Sequence, residues 1–382
     1  MDELIGGGII LRVFGDICPD RGYSRIFRES DVSSVFGFSA ELISSADIAI
    51  ANLECPLTER LTPITKVGPC LAGPIRTASV LAQSGFTAVN LANNHIMDHG
   101  LPGLRSTLRA CEEAGLETVG AGESAEAAER PLVLVRKGIR VGIYSMAETE
   151  FSIASESHGG ANGIDASRWF MEVHSLRLQS DFVLVLLHAG KENYPLPSPR
   201  TQLLCREIID GGACMVVCQH SHCIGACEEY NGGTIVYGQG NYIFDDVGRV
   251  PESWHTGMIA EVAIRDGKSY SFAPLYFHQS IAAECVKRLS GQALETAAAR
   301  QAELNALVAD RASVEREWRI LVKQDVPRLL YSLSGYSGIM IKILHRLGFH
   351  KLLYRRQARM TALNLLRCQT HREMLETYLK DE

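Results

Sequence analysis

The first 245 or so residues alternate short apolar runs with helix-like stretches, and no other feature of the chain constrains its fold as strongly. The apolar runs are rich in valine and isoleucine with little polar alternation, which is typical of strands buried on both faces. They are IILRVF (9–14), DIAIANL (47–53), FTAVNLA (86–92), LVLVR (132–136), RVGIYSM (140–146), DFVLVLLH (181–188), ACMVVCQ (213–219) and TIVYGQG (234–240). Helical patterns such as residues 103–116 and 198–212 lie between them, so the sequence predicts an α/β layered domain.

The pattern changes beyond this alternation. Residues 255–283 read as two further strands joined by a hairpin-like turn at RDGKS (265–269). After them, residues 292–324 predict one or two helices. We therefore divide the chain into an α/β domain, residues 1–283, and a helical C-terminal extension, residues 284–382.

Charge and hydropathy bear on partners and on compartment. The net charge of −6 lacks the basic excess of a nucleic-acid-binding protein, so no nucleic-acid partner is expected. No apolar run reaches the roughly 18 residues of a transmembrane helix. The start, MDELIGGGIILRVFGD, lacks the basic region and the long apolar region of a secretory signal peptide. We expect a cytoplasmic protein, with peripheral attachment at the inner membrane face left open.

The eleven cysteines are spread along the chain, and their number is odd. In a reducing compartment such residues are mostly free thiols that serve as small buried apolar groups. We therefore expect no compact disulfide framework.

Polar side chains that can bind metals follow five of the strand-like runs. They are Asp16 with Arg21 after the first run, Glu54 after the second, Asn93, Asn94, His95 and Asp98 after the third, His188 after DFVLVLL, and His220 with His222 after ACMVVCQ. In open α/β sheets, ligands bind beyond the carboxyl ends of the strands. These residues are therefore expected to converge although about 200 positions separate the first from the last.

The chemistry of these side chains favours one class of metal site. Carboxylates, an asparagine carbonyl and imidazoles suit Mn, Fe or Zn, whereas a structural zinc site would rest on thiolates. Asp16 or Glu54 could bridge two ions, with histidines filling the remaining positions. Two ions roughly 3.5–4 Å apart can activate water and hold the oxygens of a phosphoryl or acyl centre.

The stretch CQHSHC (218–223) permits another interpretation, a zinc knot. The cysteines in and around it have the spacing of zinc-ligand pairs, and they are Cys214, Cys218, Cys223 and Cys227. They straddle a strand and the loop after it, however, so their side chains need not meet. We favour the two histidines as ligands of a metal centre and the cysteines as packing residues.

Five motifs occur along the chain in a familiar order. They are GDICPDR, ANLECPLT, LANNHIMDHG, LLHAGKENY and QHSHCIGACEEYNGGTIVYGQGNYIFD. Together they resemble the CapA family, the poly-γ-glutamate capsule-synthesis proteins, which look like a branch of the calcineurin-like metallophosphoesterases. The resemblance covers roughly residues 9–262. It implies a four-layer α/β/β/α sandwich with a site for two divalent metal ions, of Mn, Fe or Zn.

The resemblance also implies which residues form the site. The implied metal ligands are Asp16, Glu54, Asn94, His188, His220 and His222, with Glu54 in the place of the bridging carboxylate. His95 matches the histidine that approaches the substrate. Arg21 matches an arginine typical of the capsule branch, which could hold an anionic group, and Glu192 matches the glutamate of its His-x-Gly-x-Glu motif.

Two departures from the superfamily pattern concern the metal ligands. Asp16 is followed by Ile17 and Cys18 where ordinary phosphoesterases have Asp-x-His. One metal position is therefore expected to be coordinated differently, with Asp20 as a candidate substitute ligand. Cys218 stands where related sequences usually carry glycine, which removes no ligand.

Several of these residues also have a purely structural interpretation. A strand-end aspartate such as Asp16 commonly closes an Asx turn, and an isolated histidine such as His188 is usually structural. Asn93 could shape its turn, and Asp98 could cap the next helix. His255, in SWHTG at the start of a predicted strand, is a further candidate site residue that could be an ordinary surface residue.

The C-terminal segment 326–372 contains nine lysines and arginines and no acidic residue. Apolar residues are interleaved with these cations. Three interpretations stay open: an amphipathic helix that meets an anionic membrane surface, a docking helix for a capsule-synthesis protein partner, and a helix packed on the domain with a solvated basic face.

These observations predict a metal-dependent hydrolase of the CapA type with an anionic small-molecule or polymer substrate. The reaction would be phosphoester cleavage, or amide chemistry on a glutamyl polymer, in capsule or exopolymer biosynthesis. The alternative is a non-catalytic polymer- or partner-binding component of a capsule synthesis complex. A redox or zinc-sensing role for the five cysteines of residues 205–227 is a third hypothesis.

Overall fold

The structure, a computed structural model, describes residues 8–29, 35–245, 250–265, 269–280, 285–333 and 338–367. Its strands are β1 (Ile9–Cys18), β2 (Ile48–Leu53), β3 (Ala88–Asn90), β4 (Glu117–Val119), β5 (Ala121–Gly122), β6 (Leu132–Arg136), β7 (Ile139–Ala147), β8 (Gly160–Ala161), β9 (Phe182–His188), β10 (Met215–Gln219), β11 (Cys227–Tyr230), β12 (Gly233–Val236), β13 (Asn241–Phe244), β14 (Thr256–Arg265), β15 (Ser269–Gln279) and β16 (Val286–Arg288).

The described helices pack around these strands or follow them. They are α1 (Arg21–Glu29), α2 (Ser39–Ser44), α3 (Arg76–Ser84), α4 (Gly100–Ala114), α5 (Ala125–Glu129), α6 (Ala166–Gln179), α7 (Pro199–Asp210), α8 (Gly291–Ala309), α9 (Arg311–Leu333), α10 (Gly338–Arg346), α11 (His350–Leu353) and α12 (Arg356–Arg367). A single 3₁₀ turn over Glu252–His255 precedes β14 in the described part of the chain.

Two sheets carry nearly all of the strands. The first has the order β16-β15-β14-β1-β2-β3-β4, and its β1 to β4 strands run parallel. Strand β1 pairs with β14 over its first half and with β13 near its end. The second sheet has the order β11-β12-β10-β9-β7-β6, in which β7, β9, β10 and β12 are parallel. Strands β5 and β8 form a separate two-stranded ribbon.

The two sheets pack face to face through alternate strand residues. Leu11, Val13 and Ile50 of the first sheet meet Leu184 and Val217 of the second in one buried cluster. Successive strand side chains point to opposite faces. The remaining strand residues are therefore directed away from this inner core, where they need a second covering layer.

Helices supply that covering on both outer faces. On the first sheet, α1, α2, α3 and α4 bury residues such as Phe27 and Leu104 against Phe14 and Val89. On the second sheet, α6, α7 and α8 pack on Val183 and its neighbours. The layers are therefore helix, sheet, sheet and helix, and the predicted four-layer α/β/β/α sandwich is confirmed. Burial on both faces also explains why strand β9 reads as one uninterrupted apolar run.

The predicted strands are present, but some of them end at other residues than predicted. The run predicted as a strand over 234–240 ends at Val236, and the chain turns at Gly240, where φ is +73°, before it enters β13. The predicted hairpin is formed by β14 and β15, while residues 266–268 of its turn lie outside the described residues.

The C-terminal helices belong to two compact units, Met1–Val314 and Glu315–Glu382. In the first unit, α8 is tied to the second sheet, because the backbone N–H of Cys227 in β11 donates to Asn305 Oδ1 at 2.7 Å. The predicted division at 283/284 is a different boundary that no independent observation tests, and it stays a prediction. Within the described residues, no helix has both the length and the apolar character that a bilayer crossing requires.

Candidate metal centre

The side chains predicted to converge do meet at the carboxyl ends of the parallel strands. Asp16 lies near the carboxyl end of β1, and Glu54 directly follows β2. His188 is the last residue of β9, and His220 and His222 follow β10. Two groups of potential ligand atoms form, each with all atoms within 4.8 Å of one another. They are Asp16, Glu54 and His188, and Glu54, His220 and His222. Glu54 is the member that the two groups share.

Glu54 is buried with one carboxylate oxygen unpaired. Its side chain is 0% exposed, and Oε1 has no hydrogen-bond partner among the described residues. That oxygen lies 3.7 Å from Nε2 of His222 and 3.8 Å from Nε2 of His188, which is too long for hydrogen bonds. A buried carboxylate without compensation is costly. Oxygen and imidazole donors of this kind fit a divalent cation.

Asn52 holds the two carboxylates in place, a role that the sequence analysis missed. Its Nδ2 donates to Asp16 Oδ1 at 2.8 Å and to Glu54 Oε2 at 3.2 Å. Its Oδ1 accepts from the side chains of Asn90 at 3.2 Å and Asn93 at 3.3 Å. A polar residue inside the apolar run DIAIANL, two positions before Glu54, is the signal that could have revealed it.

His188 and Asn94 face the same centre. Nε2 of His188 lies 3.0 Å from Asn94 Oδ1 and 3.1 Å from His220 Nδ1. Its Nδ1 lies 3.3 Å from the side-chain nitrogen of Asn52. The amide oxygen of Asn94 is thus next to a ligand-type nitrogen, as the resemblance implies, while its role as a ligand stays a prediction.

The loop after β10 presents His220 and His222 in an unusual backbone conformation. Their φ angles are +92° and +53°, in a region that non-glycine residues rarely adopt. Such positions cost about 1–3 kcal/mol each and persist where the surroundings impose them. His222 is fixed by Asn241 Oδ1 at 2.8 Å from Nδ1 and by the ring of Trp254 at 4.6 Å.

Burial and mutual charge set the protonation of the centre. Burial, with the charge of Asp16, raises the pKa of Glu54 well above its ordinary value. Burial, then the charge of His220, lowers the pKa of His188, and burial lowers the pKa of His220 to about 4. Burial also lowers the pKa of His222, but the hydrogen bond and charge of Asp16 outweigh it and raise that pKa overall. Two imidazoles are thus neutral and ready to bind a cation.

Metal binding is expected to release a proton. Because its pKa is raised, Glu54 keeps a proton in the metal-free protein at pH values where a free glutamate is ionised. A cation must displace that proton, so metal affinity should weaken as the pH falls. Titration calorimetry with Mn²⁺ at mildly acidic pH, in buffers of different ionisation enthalpy, measures the release. A binding heat that is the same in every buffer would contradict the expectation.

His95 lies beside the ligand groups and is held by a buried ion pair. Its Nδ1 is 2.6 Å from Asp98 Oδ2, and the other oxygen of Asp98 pairs with the ammonium of Lys66. Both Lys66 and Asp98 have buried side chains. Asp98 does not cap the following helix, where no side-chain cap bond forms. Lys66 lies in the distant loop between β2 and α3, and sequence reasoning had no signal for it.

Arg21 and Glu192 are exposed residues that follow strands of the site, β1 and β9. Arg21 begins α1 with its side chain 47% exposed and near Asp20 at 3.8 Å. Glu192 is exposed in the loop after β9, and its charge acts to raise the pKa of His220. Their catalytic roles stay predictions. Among the described residues, Asp20 belongs to neither ligand group.

The cysteines do not form a zinc knot within the described residues, where neither potential metal group contains a thiol. The ten described cysteines are all free. Burial raises the pKa of Cys223 to about 12, which keeps its thiol protonated and a poor metal ligand. The Sγ atoms of Cys205 and Cys218 meet at 3.6 Å on the buried side of β10. These residues pack the layer that supports the histidine loop.

Gly15 lets β1 bring Asp16 into the centre. A Cβ at this position would lie 2.1 Å from the carbonyl oxygen of Gly240, where β13 approaches β1. Gly15→Ala is therefore expected to destabilise the protein by about 1–3 kcal/mol and to reduce metal content. Chemical unfolding and metal analysis check this. Gly211→Ala is the matched control, since φ there is −70° and the nearest atom would be 3.3 Å away. Equal losses in both variants would contradict the steric explanation.

Comparison with known families identifies the family of this chain. The family profile described as bacterial capsule synthesis protein PGA_cap matches residues 10–246, more than half of the chain. The chain belongs to the PGA_cap family. All six implied metal ligands, and His95, Arg21 and Glu192, fall inside the matched residues. Helix α8 and everything after it fall outside them.

Two relatives of this PGA_cap chain show how far the similarity extends. It is 28% identical over 246 residues to the capsule biosynthesis protein CapA of Bacillus anthracis, covering 62% of this chain and 60% of that protein. It is 29% identical over 236 residues to the PGA biosynthesis protein CapA of Bacillus subtilis strain 168, covering 60% and 62%. The chain thus spans about 60% of the length of these relatives.

Similarity to solved structures is more distant. The calcineurin-like phosphoesterase YfkN from Bacillus subtilis is 13% identical, with 79% of this chain and 100% of that chain covered and a TM-score of 0.42. That likeness is too low to carry an argument about activity. The layer order and the ligand groups described above rest on this chain's own residues.

Proposed function

We propose that this PGA_cap protein is a metal-dependent hydrolase with two divalent ions, acting on a phosphoester or a glutamyl-type amide in capsule or poly-γ-glutamate biosynthesis. The observation that carries the proposal is Glu54, whose unpaired buried oxygen lies between two ligand groups that share it. The names of the two relatives, a capsule biosynthesis protein and a PGA biosynthesis protein, support the biosynthetic context.

One set of residues would hold the metal ions, and another would contact the substrate. Asp16, Glu54 and His188 would hold one ion, and Glu54, His220 and His222 the other, with Asn94 beside His188. When bound, Mn, Fe or Zn supplies Lewis acidity to water and to the scissile centre.

His95 is the candidate proton donor to the leaving group. Asp98 holds its Nδ1, so Nε2 is the ring nitrogen free to exchange a proton with a substrate. The ammonium group of Lys66 balances the charge of Asp98, and the side chains of both residues are buried. Arg21, which is exposed and begins the helix after β1, would bind an anionic group of the substrate, and Glu192 would orient a polar one.

Metal content per chain is the test of the proposal. Inductively coupled plasma mass spectrometry on freshly purified protein should find two equivalents of Mn, Fe or Zn. Asp16→Ala, Glu54→Ala and the double variant His220→Ala/His222→Ala should lose them, whereas the control Cys214→Ser/Cys227→Ser should not. Phosphoesters and γ-glutamyl amides are then screened as substrates. No metal after reconstitution, or loss only in the cysteine variant, would contradict the proposal.

A non-catalytic component of a capsule synthesis complex is the second candidate. The relatives' names concern biosynthesis and name no reaction, which is the observation that favours it. Turnover and binding experiments distinguish the hydrolase from the binding component. Full metal occupancy without turnover of either substrate class, together with retained binding of a glutamate oligomer, would support the binding component.

We propose an anionic membrane surface as the partner of segment 326–372. Ile339, Met340 and Ile343 of α10 are exposed, with Ile339 75% exposed. Lys342 and Arg346 of the same helix are also exposed, and residues 326–372 contain no carboxylate side chain. Exposed apolar residues beside cations are the features by which a helix lies in an anionic membrane interface.

Vesicle flotation tests the membrane partner. The full chain should float with phosphatidylglycerol-containing vesicles and not with pure phosphatidylcholine vesicles. Lys342→Glu/Arg346→Glu should lose this binding, while the charge-matched control Arg316→Glu/Arg319→Glu on α9 should keep it. Absence of flotation on anionic vesicles at low salt would contradict the proposal. A protein partner, or a packed helix with a solvated basic face, would then be left for the segment.

A further inference from the structure

A groove of about 790 Å³ opens next to the candidate metal centre. Cys223 and Ile224, the two residues after His222, are part of its lining. Ser253 and Thr256, also in its lining, flank Trp254, whose ring packs on His222. The volume is that of a site for a small organic molecule. A group bound at the ligand cluster would therefore have this groove as its neighbour.

Helix α8 forms the far wall of the groove. Ala293, Ala297 and Leu304 line it from this helix. The wall is fixed, because Asn305 Oδ1 accepts from the Cys227 backbone N–H at 2.7 Å. Since α8 lies beyond the residues that the PGA_cap profile matches, this part of the groove is not given by the family match.

The described lining of the groove is mostly apolar or neutral. Its apolar members include Ile224, Leu289 and Leu304, and amides and hydroxyls supply most of the rest. Among the amides and hydroxyls of the lining are Asn193, Ser253, Thr256 and Thr296. Such groups are the kind that a neutral ligand would meet through hydrogen bonds.

Charge in the described lining is small and balanced. It carries one carboxylate, Glu252, and one guanidinium, Arg300, which is already paired with Glu303 at 2.9 Å. His278 adds an imidazole that stacks on His255 at 5.8 Å. A polyanionic chain needs several cations along its path. The groove does not provide them.

We propose that this groove is a subsite for an uncharged, largely apolar organic group with amide- or hydroxyl-type hydrogen bonds, which belongs to the substrate whose reacting centre binds at the metals. The inference rests on the proposed function for its link to chemistry. The groove itself is a property of the fold around α8 and β14, so its occupancy can be tested without turnover.

The test is binding of a neutral apolar fluorophore, N-phenyl-1-naphthylamine, to the full chain. Ala293→Trp places an indole in the groove and should weaken binding about tenfold or more, which corresponds to about 1.4 kcal/mol. Ala302→Trp is the matched control, because residue 302 is exposed and nine positions along the helix, on its opposite face. Thermal unfolding of both variants verifies that the fold is retained.

Two further measurements separate the groove from the metal chemistry. The fluorophore should still bind after a chelator has removed the metal. Its binding therefore tests the groove even if the hydrolase proposal is wrong. A neutral alkyl glucoside should displace the fluorophore, and a glutamate oligomer should not. Equal binding by wild type and Ala293→Trp, or displacement by the oligomer alone, would overturn the inference.

Discussion

Replacing Glu54 with glutamine is expected to abolish metal binding and, at the same time, to stabilise the metal-free protein. The amide keeps the shape of the side chain and can accept the hydrogen bond from Asn52, but it has no charge for a cation. In the wild type, burial and Asp16 raise the pKa of Glu54, so folding costs free energy wherever the unfolded carboxyl is ionised. The glutamine variant does not carry this cost.

The sign of the pH dependence follows from the direction of that shift. A folded-state pKa above the unfolded one gives a stability contribution that is complete below the unfolded pKa and lost as the pH rises towards the folded pKa. The unfolded carboxyl ionises at about pH 4.3, so the cost grows as the pH rises from there towards neutrality. The advantage of Glu54→Gln should therefore be largest near neutral pH and shrink in acid.

Urea unfolding of both metal-free proteins at several pH values measures this difference directly. The lowered pKa values of His188 and His220 destabilise the fold in acid, so the difference near neutral pH is the more direct measure of Glu54. Glu59→Gln is the control, because Glu59 is an exposed partner of Arg28 and should change neither metal content nor the pH dependence in this way. A metal-free Glu54→Gln protein that is less stable than wild type at neutral pH would contradict the explanation.

The same buried carboxylate shows what the sequence could and could not predict. Asp16, His188, His220 and His222 stand at the ends of apolar runs, and parallel strands bring such ends to one edge. Their convergence could therefore be predicted without knowledge of any contact. Asn52 carries one signal, a polar side chain inside an apolar run, but its partners could not be predicted from the sequence. They depend on which side chains lie beside it in the folded sheet.

The contacts made by long loops and by the helices after the second sheet could not be predicted in this way. Lys66 reaches Asp98 from a segment with no regular structure, and nothing in its own neighbourhood indicates an ion pair. Helix α8 was recognised as a helix, but an amphipathic pattern does not specify which surface it covers. The groove lined by α8 depends on contacts of this helix with β11 and with Gly225 before it, which only the folded chain reveals.

The second large effect is expected at His95. His95→Gln should lower kcat by roughly 10²–10³-fold with metal content unchanged, because the imidazole belongs to neither ligand group but lies beside them. A positive charge on His95 would lower the pKa values of His188 and His220, so the ring lies in the electrostatic surroundings of the ligand groups. The rate is measured with the best substrate from the phosphoester and γ-glutamyl amide screen, and metal by mass spectrometry.

Companion variants separate proton transfer by His95 from a structural contribution. Asp98→Asn keeps a hydrogen-bond acceptor near Nδ1 but removes the charge that fixes the ring, and it should lower kcat by less than His95→Gln does, with KM little changed. His174→Gln, on the exposed face of α6, should leave both parameters as in the wild type. If His95→Gln loses metal together with activity, the ring acts as a ligand. If it keeps full kcat, another group donates the proton, and the pairing of Lys66 with Asp98 serves only to close the loop over the site.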